Sequence, residues 1–201
     1  MRGPERRGQI VEMALALVAR YGVPGTTLTR IASAVGVTTP ALYAHFANRK
    51  EILLEALDVL IQRRSAAHHL VTSGTPVERL REIGHRHSKL VASDDKSVLA
   101  LFEFIAAGPE EGLRETLGER HLGLVDELAR IVEDGQEDGS IIRDVDPQQI
   151  AWMIVSRAWT EDIAALMGIS HAWNQERSNQ MLELILDSIT PPKDRRTSKT
   201  E

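Results

Sequence analysis

The stretch TTLTRIASAVGVTTPALYAHFANR, residues 26–49, decides the fold. Its first half carries apolar residues at helical spacing over 28–35, and Gly36 then ends the helix because glycine adopts positive φ without steric cost. A second short helix is predicted from Thr38 or Thr39 to about Phe46. This helix presents polar side chains in place of a full apolar face, so it is suited to contact a partner outside the fold. A helix, a tight turn and a helix together favour insertion of the second helix into the major groove of DNA.

The composition points to an all-α protein and excludes several kinds of chemistry. The chain has 201 residues, an aromatic share of 4% and no cysteine. The absence of cysteine excludes disulfides, thiol catalysis and cysteine-ligated zinc. The polar start and the charge-interrupted apolar runs resemble neither a secretory leader nor a membrane span. We therefore expect a cytoplasmic protein, located at the nucleoid when it is bound to DNA.

Charge is distributed unevenly along the chain. Residues 1–64 contain nine Arg and Lys against five Asp and Glu, whereas the remainder contains 15 against 24. A basic head on an acidic body would orient the protein on a duplex, because phosphates attract one end and repel the other. Chance scatter of surface charge is the alternative. Arg2, Arg6 and Arg7, at the start of the chain, are either solubility charges or phosphate contacts.

Helical periodicity and breaker residues predict about nine helices. Thr27, Asn48 and Asp146 are predicted to cap three of them, the last with Pro147 at the first helical position. Residues 135–146 are predicted to form a loop, and the polar tail 191–201 is expected to be disordered. The other predicted helices, in chain order, cover 5–21, 49–70, 76–92, 95–107, 110–134, 147–167 and 172–189.

About the first 60 residues resemble the TetR family of bacterial transcriptional regulators. The matching pieces are YGVPGTTLTRIASAVGV and TTPALYAHFANRKEIL, which keep the family pattern in register over some 40 positions. The body matches more generally, where GQEDGSIIRDVDP leads into an amphipathic helix. The resemblance implies a three-helix DNA-binding domain (1–48), a connecting helix (49–70) and a helical domain (71–190) that dimerises and binds a small molecule.

The resemblance also implies roles for individual residues of the head. Thr27, Tyr43, His45 and Arg49 match positions that contact the DNA backbone. Thr29 stands where many relatives carry arginine, and the neighbouring Arg30 is the candidate to replace that contact. The complete predicted DNA-binding set is Thr27, Thr29, Arg30, Thr38, Thr39, Pro40, Ala41, Tyr43, His45 and Arg49. The residues predicted to face the bases offer few hydrogen-bonding groups, so we expect thymine methyl contacts and DNA shape to set the sequence preference.

Two apolar stripes near the C-terminus can form either ordinary core or a dimer interface. The family resemblance favours an interface in which two helices pair with their copies across a two-fold axis. The candidate interface residues are Trp159, Ile163, Leu166, Leu182, Ile185, Leu186 and Ile189. The candidate ligand-binding residues are Phe102, Glu103, Ile105, Leu117, Leu122, Trp152 and Arg157. Either Trp152 or Trp159 can face the cavity while the other faces the interface, and Arg157 fits either a ligand contact or an ion pair with Glu161.

The sequence therefore predicts a homodimeric DNA-binding regulator, most simply a repressor that leaves a palindromic operator when a small molecule binds. The alternative in the same class is a regulator without an inducer, which responds to a protein partner or acts constitutively. An enzyme is the remote alternative, because the chain lacks the motifs of nucleophilic, metal-dependent and phosphate-binding sites. The histidine pairs 68/69 and 85/87 have the wrong spacing to share an ion on a helix, so no metal site and no cofactor are expected.

Overall fold

The computed structural model describes residues 3–69, 71–93, 95–108 and 112–192, and all regular secondary structure within these ranges is helical. This confirms the predicted all-α fold. Residues 193–201, most of the predicted tail, lie outside the described ranges. The helices are α1 (Gly3–Gly25), α2 (Leu28–Val35), α3 (Thr39–Leu42), α4 (Arg49–His69), α5 (Pro76–Ser93), α6 (Asp95–Ile105), α7 (Leu113–Asp138), α8 (Pro147–Leu166) and α9 (Gln175–Ile189).

Three side chains cap helices as the sequence predicts. Thr27, Asn48 and Asp146 each accept a hydrogen bond from a backbone amide of the following turn, at 3.2, 2.9 and 2.9 Å. These bonds satisfy amides that have no partner within the first helical turn. The caps fix where α2, α4 and α8 begin.

The first helix ends differently from the prediction. Instead of stopping at Tyr21, α1 continues to Gly25, with a break at Gly22, whose φ of 70° and ψ of 171° are not helical. This region of backbone space is essentially restricted to glycine. The breaker cluster thus produces a kink followed by one more turn, and Thr26, which is fully buried, ties that turn back by donating to the Gly22 carbonyl at 2.8 Å.

The core of the head extends into the body. The first four helices enclose a cluster that also includes Ala100 and Phe104 of α6 and Leu113 of α7. Helix α6 packs along α1. The connecting helix α4 is therefore not the only mechanical link between head and body, since α6 provides a second one. Buried members of this cluster on the head side are Ile10, Val18, Ile31, Leu42, Phe46, Ile52, Leu53 and Leu57.

A second core cluster is built mainly from α5, α7, α8 and α9. It includes four of the predicted dimer-interface residues, Leu182, Ile185, Leu186 and Ile189, each at most 5% exposed. These four assignments are corrected: the apolar stripe of α9 packs against α5 and α8 of its own chain and is not available to a second copy.

The segment after α7 is shorter than the predicted loop. Helix α7 continues past Gly135 to Asp138 and ends at Gly139, whose φ of 79° is left-handed. The chain then turns back, and the Ile141 amide donates to the Gly135 carbonyl at 2.8 Å. The Ile141 side chain lies where a Cβ on Gly135 would have to be, so glycine here permits close packing and does not break the helix.

Candidate DNA-binding surface and internal cavity

Helix α3 is the centre of the candidate DNA-binding surface. Its regular part is only four residues, shorter than the predicted helix to Phe46, because the amides of residues 43–45 bond three residues back instead of four. The turns continue to Phe46, whose amide donates to the Leu42 carbonyl at 3.0 Å. Leu42 and Phe46 are buried and hold this segment against the head core.

The predicted DNA-binding residues are mostly accessible. Seven are exposed, namely Thr27, Thr29, Arg30, Thr38, Pro40, Ala41 and Tyr43, while Thr39, His45 and Arg49 are half-buried. Tyr43 is 56% exposed although it follows directly after the buried Leu42. Helices α2 and α3, which carry most of these residues, pack against each other.

Two arginines of the predicted DNA-binding set bond to backbone carbonyls of their own chain. The Arg30 guanidinium donates to the Gly25 carbonyl and lies over the Tyr21 ring, 4.3 Å from its centroid. Nε of Arg49 donates to the Thr26 carbonyl at 2.7 Å, and its burial lowers the pKa of the Arg49 guanidinium. Both side chains stabilise the junction between α1 and α2 in this structure.

Arg7 performs a role that the sequence did not reveal. Its Nη2 pairs with a Glu51 carboxylate oxygen at 2.7 Å and also with Glu55, and its guanidinium lies 4.0 Å from the centroid of the Phe46 ring. Arg7 also donates to the His45 carbonyl, directly after α3. Neither alternative considered for this arginine, solubility or phosphate binding, describes it. The signal in the sequence that points to such a pairing is the two acidic residues four apart on α4, Glu51 and Glu55.

The body contains a cavity of about 490 Å³ bounded by helices α4 to α8. A smaller cavity of about 180 Å³ adjoins it, and the two share Leu101, Leu117, His121, Trp159 and Asp162. The apolar lining of the larger cavity consists of Ile61, Ile83, Leu101, Leu117, Leu124, Leu128, Ile154, Val155, Ala158 and Trp159. Its volume lies within the range of about 300–1,000 Å³ that is usual for small-molecule sites.

The predicted ligand-binding residues divide into two groups. Phe102, Ile105 and Leu117 line the smaller cavity, and Leu117 and Arg157 line the larger one. The others lie outside both, and their assignment is corrected. Glu103 reaches Gly22, where its Oε2 would be 2.6 Å from an added Cβ, because α6 turns this face towards α1. Leu122 and Trp152 are 55% and 41% exposed.

Arg157 forms the ion pair with Glu161 that was one of its two predicted roles. Its Nη1 lies 3.5 Å from Glu161 Oε2 and 3.2 Å from Ser88 Oγ, and it also donates to Ser178. Both charged side chains are at most 5% exposed. Burial lowers the pKa of Arg157 and raises the pKa of Glu161, since each loses hydration of its charge.

A second buried ion pair joins α4 to α8. Nη2 of Arg64 donates to both carboxylate oxygens of Asp162, at 2.8 and 2.7 Å. The side chains are 12% and 3% exposed, and His87 Nε2 lies 3.7 Å from the same carboxylate. Burial raises the pKa of Asp162, against the opposing effect of Arg64. Local sequence patterns do not reveal this pair, because its members are almost a hundred residues apart.

Helices α8 and α9 carry several large apolar side chains that are exposed. Trp159, Ile163 and Leu166 of the predicted dimer interface are 42%, 41% and 36% exposed. Leu184 of α9 is 66% exposed. The His121 ring lies between the two tryptophans of α8, with centroid distances of 5.8 Å to Trp152 and 5.0 Å to Trp159. Partial burial lowers the pKa of His121.

Within the residues that the structure describes, no helix combines the length and the apolar character needed to cross a bilayer. No group of three or more His, Asp or Glu residues in the same ranges is arranged to hold a metal ion.

Known proteins resemble the chain over most of its length. Residues 10–56 match the profile described as bacterial regulatory proteins, tetR family, and residues 73–158 match a tetracyclin repressor-like C-terminal domain. The HTH-type transcriptional repressor KstR2 of Mycobacterium tuberculosis is 26% identical over 203 residues, covering 92% of this chain and 93% of that protein.

Solved structures share the fold. A TetR transcription regulator from Haloarcula marismortui superposes with a TM-score of 0.78 at 19% identity, over 94% of this chain and 100% of that one. The structure of AibR in complex with isovaleryl coenzyme A and operator DNA superposes with a TM-score of 0.65 at 24% identity, over 94% and 100% of the two chains.

Proposed function

Since the chain belongs to the TetR family of bacterial regulatory proteins, we propose that it is a transcriptional repressor that binds a palindromic operator as a homodimer and leaves it when a small molecule enters the body. The observation that carries the proposal is the accessible segment 38–43, which the head core supports from behind through Leu42 and Phe46. KstR2 is named as a repressor, and AibR is described with operator DNA and an acyl coenzyme A.

The start of α3 faces the bases in this proposal. Thr38, Thr39, Pro40 and Ala41 offer methyl and methylene groups together with two hydroxyls, so sequence preference depends on thymine methyl groups and on DNA shape. Tyr43 donates its hydroxyl to a phosphate and thereby fixes the position of the helix on the duplex. Thr27 has a double role, because its oxygen caps α2 while its hydroxyl hydrogen can still be donated to a phosphate.

Dimerisation covers the exposed apolar side chains of α8 and α9. Trp159, Ile163, Leu166 and Leu184 are too exposed to stabilise the isolated chain, and burying them against a second copy removes their apolar surface from water. A single short recognition helix binds weakly. Two of them related by a two-fold axis, about 34–36 Å apart, read two half-sites of an operator.

Release follows from the position of the cavity. Residues 58–65 of α4 border the cavity, and the N-terminal half of α4 belongs to the head core. Helix α6 borders the cavity through Leu101 and packs on α1. A ligand that changes the packing of these helices therefore changes the spacing of the two heads. In this proposal residues 1–48 are the DNA-binding domain, 49–70 the connecting helix and 71–190 the regulatory domain, without an enzymatic role.

Affinity selection of genomic fragments by the purified chain tests the DNA-binding part. The Ala41→Glu variant places a carboxylate where the groove is expected and should recover no enriched fragment. The matched control is Ala92→Glu, an exposed alanine on α5, which should recover the same fragments as the unmodified chain. Equal recovery by all three proteins, or no enrichment by the unmodified chain, refutes the proposal.

Sedimentation tests the dimer. We expect a species of twice the 22.3 kDa chain mass at micromolar concentration. Ile163→Glu should produce monomers, because a charge cannot be buried unpaired in an apolar interface. Leu99→Glu, at a residue of α6 with 40% exposure, serves as the control and should remain dimeric. A monomeric unmodified chain contradicts the dimer.

A further inference from the structure

The cavity of the body has hydrogen-bond donors on its wall that no described residue satisfies. Nη1 of Arg64 and Nε of Arg157 are buried and have no hydrogen-bond partner, and both residues line the cavity of about 490 Å³. The Arg157 side chain is only 1% exposed. Arginine nitrogens are donors in every protonation state reached in proteins. A buried donor without a hydrogen-bond partner destabilises the folded protein, because the donor has lost its hydrogen bonds to water. These two groups therefore favour a ligand that supplies acceptors.

The two buried carboxylates that pair with Arg64 and Arg157, those of Asp162 and Glu161, already accept hydrogen bonds, while the carboxylates of Glu119 and Glu127, which also line the cavity, are exposed to solvent. Both oxygens of Asp162 accept from Arg64 Nη2, and Oε2 of Glu161 accepts from Ser88 and Ser178 at 3.0 Å each. A cationic ligand that binds at Asp162 or Glu161 would have to displace one of these donors. An acceptor that reaches Nη1 of Arg64 pairs with a buried donor that has no hydrogen-bond partner among the described residues. The buried part of the cavity at Arg64 thus favours a ligand with a carboxylate over one with an amine.

The rest of the cavity wall specifies the remainder of the ligand. Its lining includes leucine, isoleucine and valine side chains together with the indole of Trp159. An apolar body buried against these side chains contributes most of the binding free energy, and the polar head fixes the orientation.

We propose that the cavity binds an amphipathic carboxylate, an apolar chain or ring system with one acidic head, and that the head bonds to Nη1 of Arg64 and competes with Asp162 for this guanidinium. The inference rests on the proposed function, because it names the effector class of that regulator. Arg64 lies on α4, and its pair with Asp162 ties α4 to α8. A competing carboxylate weakens this tie at the helix that leads to the head.

Three probes with the same apolar body and different heads test the proposal: decanoate, 1-decanol and decylammonium. Their dissociation constants are measured on the full chain without DNA, by the fluorescence of the tryptophan that lines the cavity and by calorimetry. Decanoate should bind at least tenfold more tightly than the other two, because a charge-assisted hydrogen bond distinguishes it from the alcohol.

Substitutions of Arg64 and of Asp162 should change the affinity for decanoate in opposite directions. Arg64→Met should weaken decanoate about tenfold to a hundredfold and leave decanol within about threefold. Arg64→Lys keeps a charge for Asp162 but removes the second nitrogen, and it should also weaken decanoate about tenfold, which covers the case that the methionine variant does not fold. Asp162→Asn frees the guanidinium and should strengthen decanoate about tenfold.

Several results overturn the inference. They are tighter binding of decylammonium, no binding of decanoate at millimolar concentration, or equal effects of the Arg64 variants on decanoate and decanol, which is what a merely structural role predicts. A chain that selects DNA but fails this test remains the proposed repressor with another effector. A chain that passes it but selects no DNA refutes the proposed function instead.

Discussion

Breaking the buried pair between Arg157 and Glu161 should cost the protein a large part of its stability. In Arg157→Met the carboxylate of Glu161, 5% exposed, keeps its two serine bonds but loses its counter-charge. Removing one partner of a buried ion pair typically costs about 3–5 kcal/mol. For a chain of this size each kcal/mol lowers the melting temperature by about 2–4 °C, so we expect a decrease of about 6–20 °C.

The assay is thermal and urea unfolding followed by circular dichroism at one fixed protein concentration, since the proposed dimerisation would make stability depend on concentration. The matched control is Arg81→Met, which breaks the pair with Glu183 between α5 and α9. Those side chains are 34% and 38% exposed, and half-exposed pairs contribute about 0–1 kcal/mol. The double variant Arg157→Met/Glu161→Gln removes both charges and should recover most of the loss.

The pH dependence gives a further check on Arg157→Met. Burial raises the pKa of Glu161 and Arg157 opposes that rise, so the variant raises this pKa further. When folding raises the pKa of a carboxyl group, the folded protein is most stable with that group protonated. The free energy of unfolding then decreases as pH rises from the pKa of the unfolded state to the pKa of the folded state. The difference in unfolding free energy between Arg157→Met and the unmodified chain should therefore become smaller at acidic pH. Equal losses in Arg157→Met and Arg81→Met, or additive losses in the double variant, would refute this account.

Three other predictions concern the head and the tryptophan cluster. Tyr43→Phe should weaken binding to cognate and scrambled duplexes alike, by about tenfold, and a gel shift that shows loss of cognate binding alone would contradict the phosphate role. Desolvation lowers the pKa of His121 below 6.5, so the unfolded chain takes up the proton at a higher pH than the folded one, and the free energy of unfolding falls as pH decreases below about 6.5. His121→Phe should lose less of this free energy over the same pH range, and a loss equal to that of the unmodified chain would contradict the lowered pKa. Gly22→Ala should destabilise more than Gly36→Ala in urea unfolding, because φ 70° with ψ 171° is nearly exclusive to glycine whereas φ 71° with ψ 35° is left-handed helix; the reverse order would show that the kink is not strained.

Local patterns in the sequence predicted the head well. Thr27, Asn48 and Asp146 cap their helices because a side-chain oxygen next to free amides needs no tertiary context. The directions of long side chains were not predictable in this way. Arg30 and Arg49 turn towards backbone carbonyls between α1 and α2, which depends on where the kink at Gly22 places those carbonyls.

Helix α8 shows why the body was harder to predict. Its apolar Trp159 and Ile163 are exposed, whereas its charged Arg157, Glu161 and Asp162 are buried. Periodicity assigns apolar side chains to the inside, and it fails here because partners on α4 and α5 satisfy the charges. Four apolar residues of α9 follow the ordinary rule and lie in the core, which is why their assignment to the dimer interface was wrong.

Footprinting by hydroxyl radicals on an operator recovered by genomic selection tests the central claim most directly, that two copies of the head read one palindrome. We predict two protected half-sites in inverted orientation, with centres about one helical turn of 10–10.5 base pairs apart or a multiple of it. Protection should disappear from both together in Ala41→Glu and in Ile163→Glu. A single protected half-site that persists when the chain is monomeric would contradict the claim.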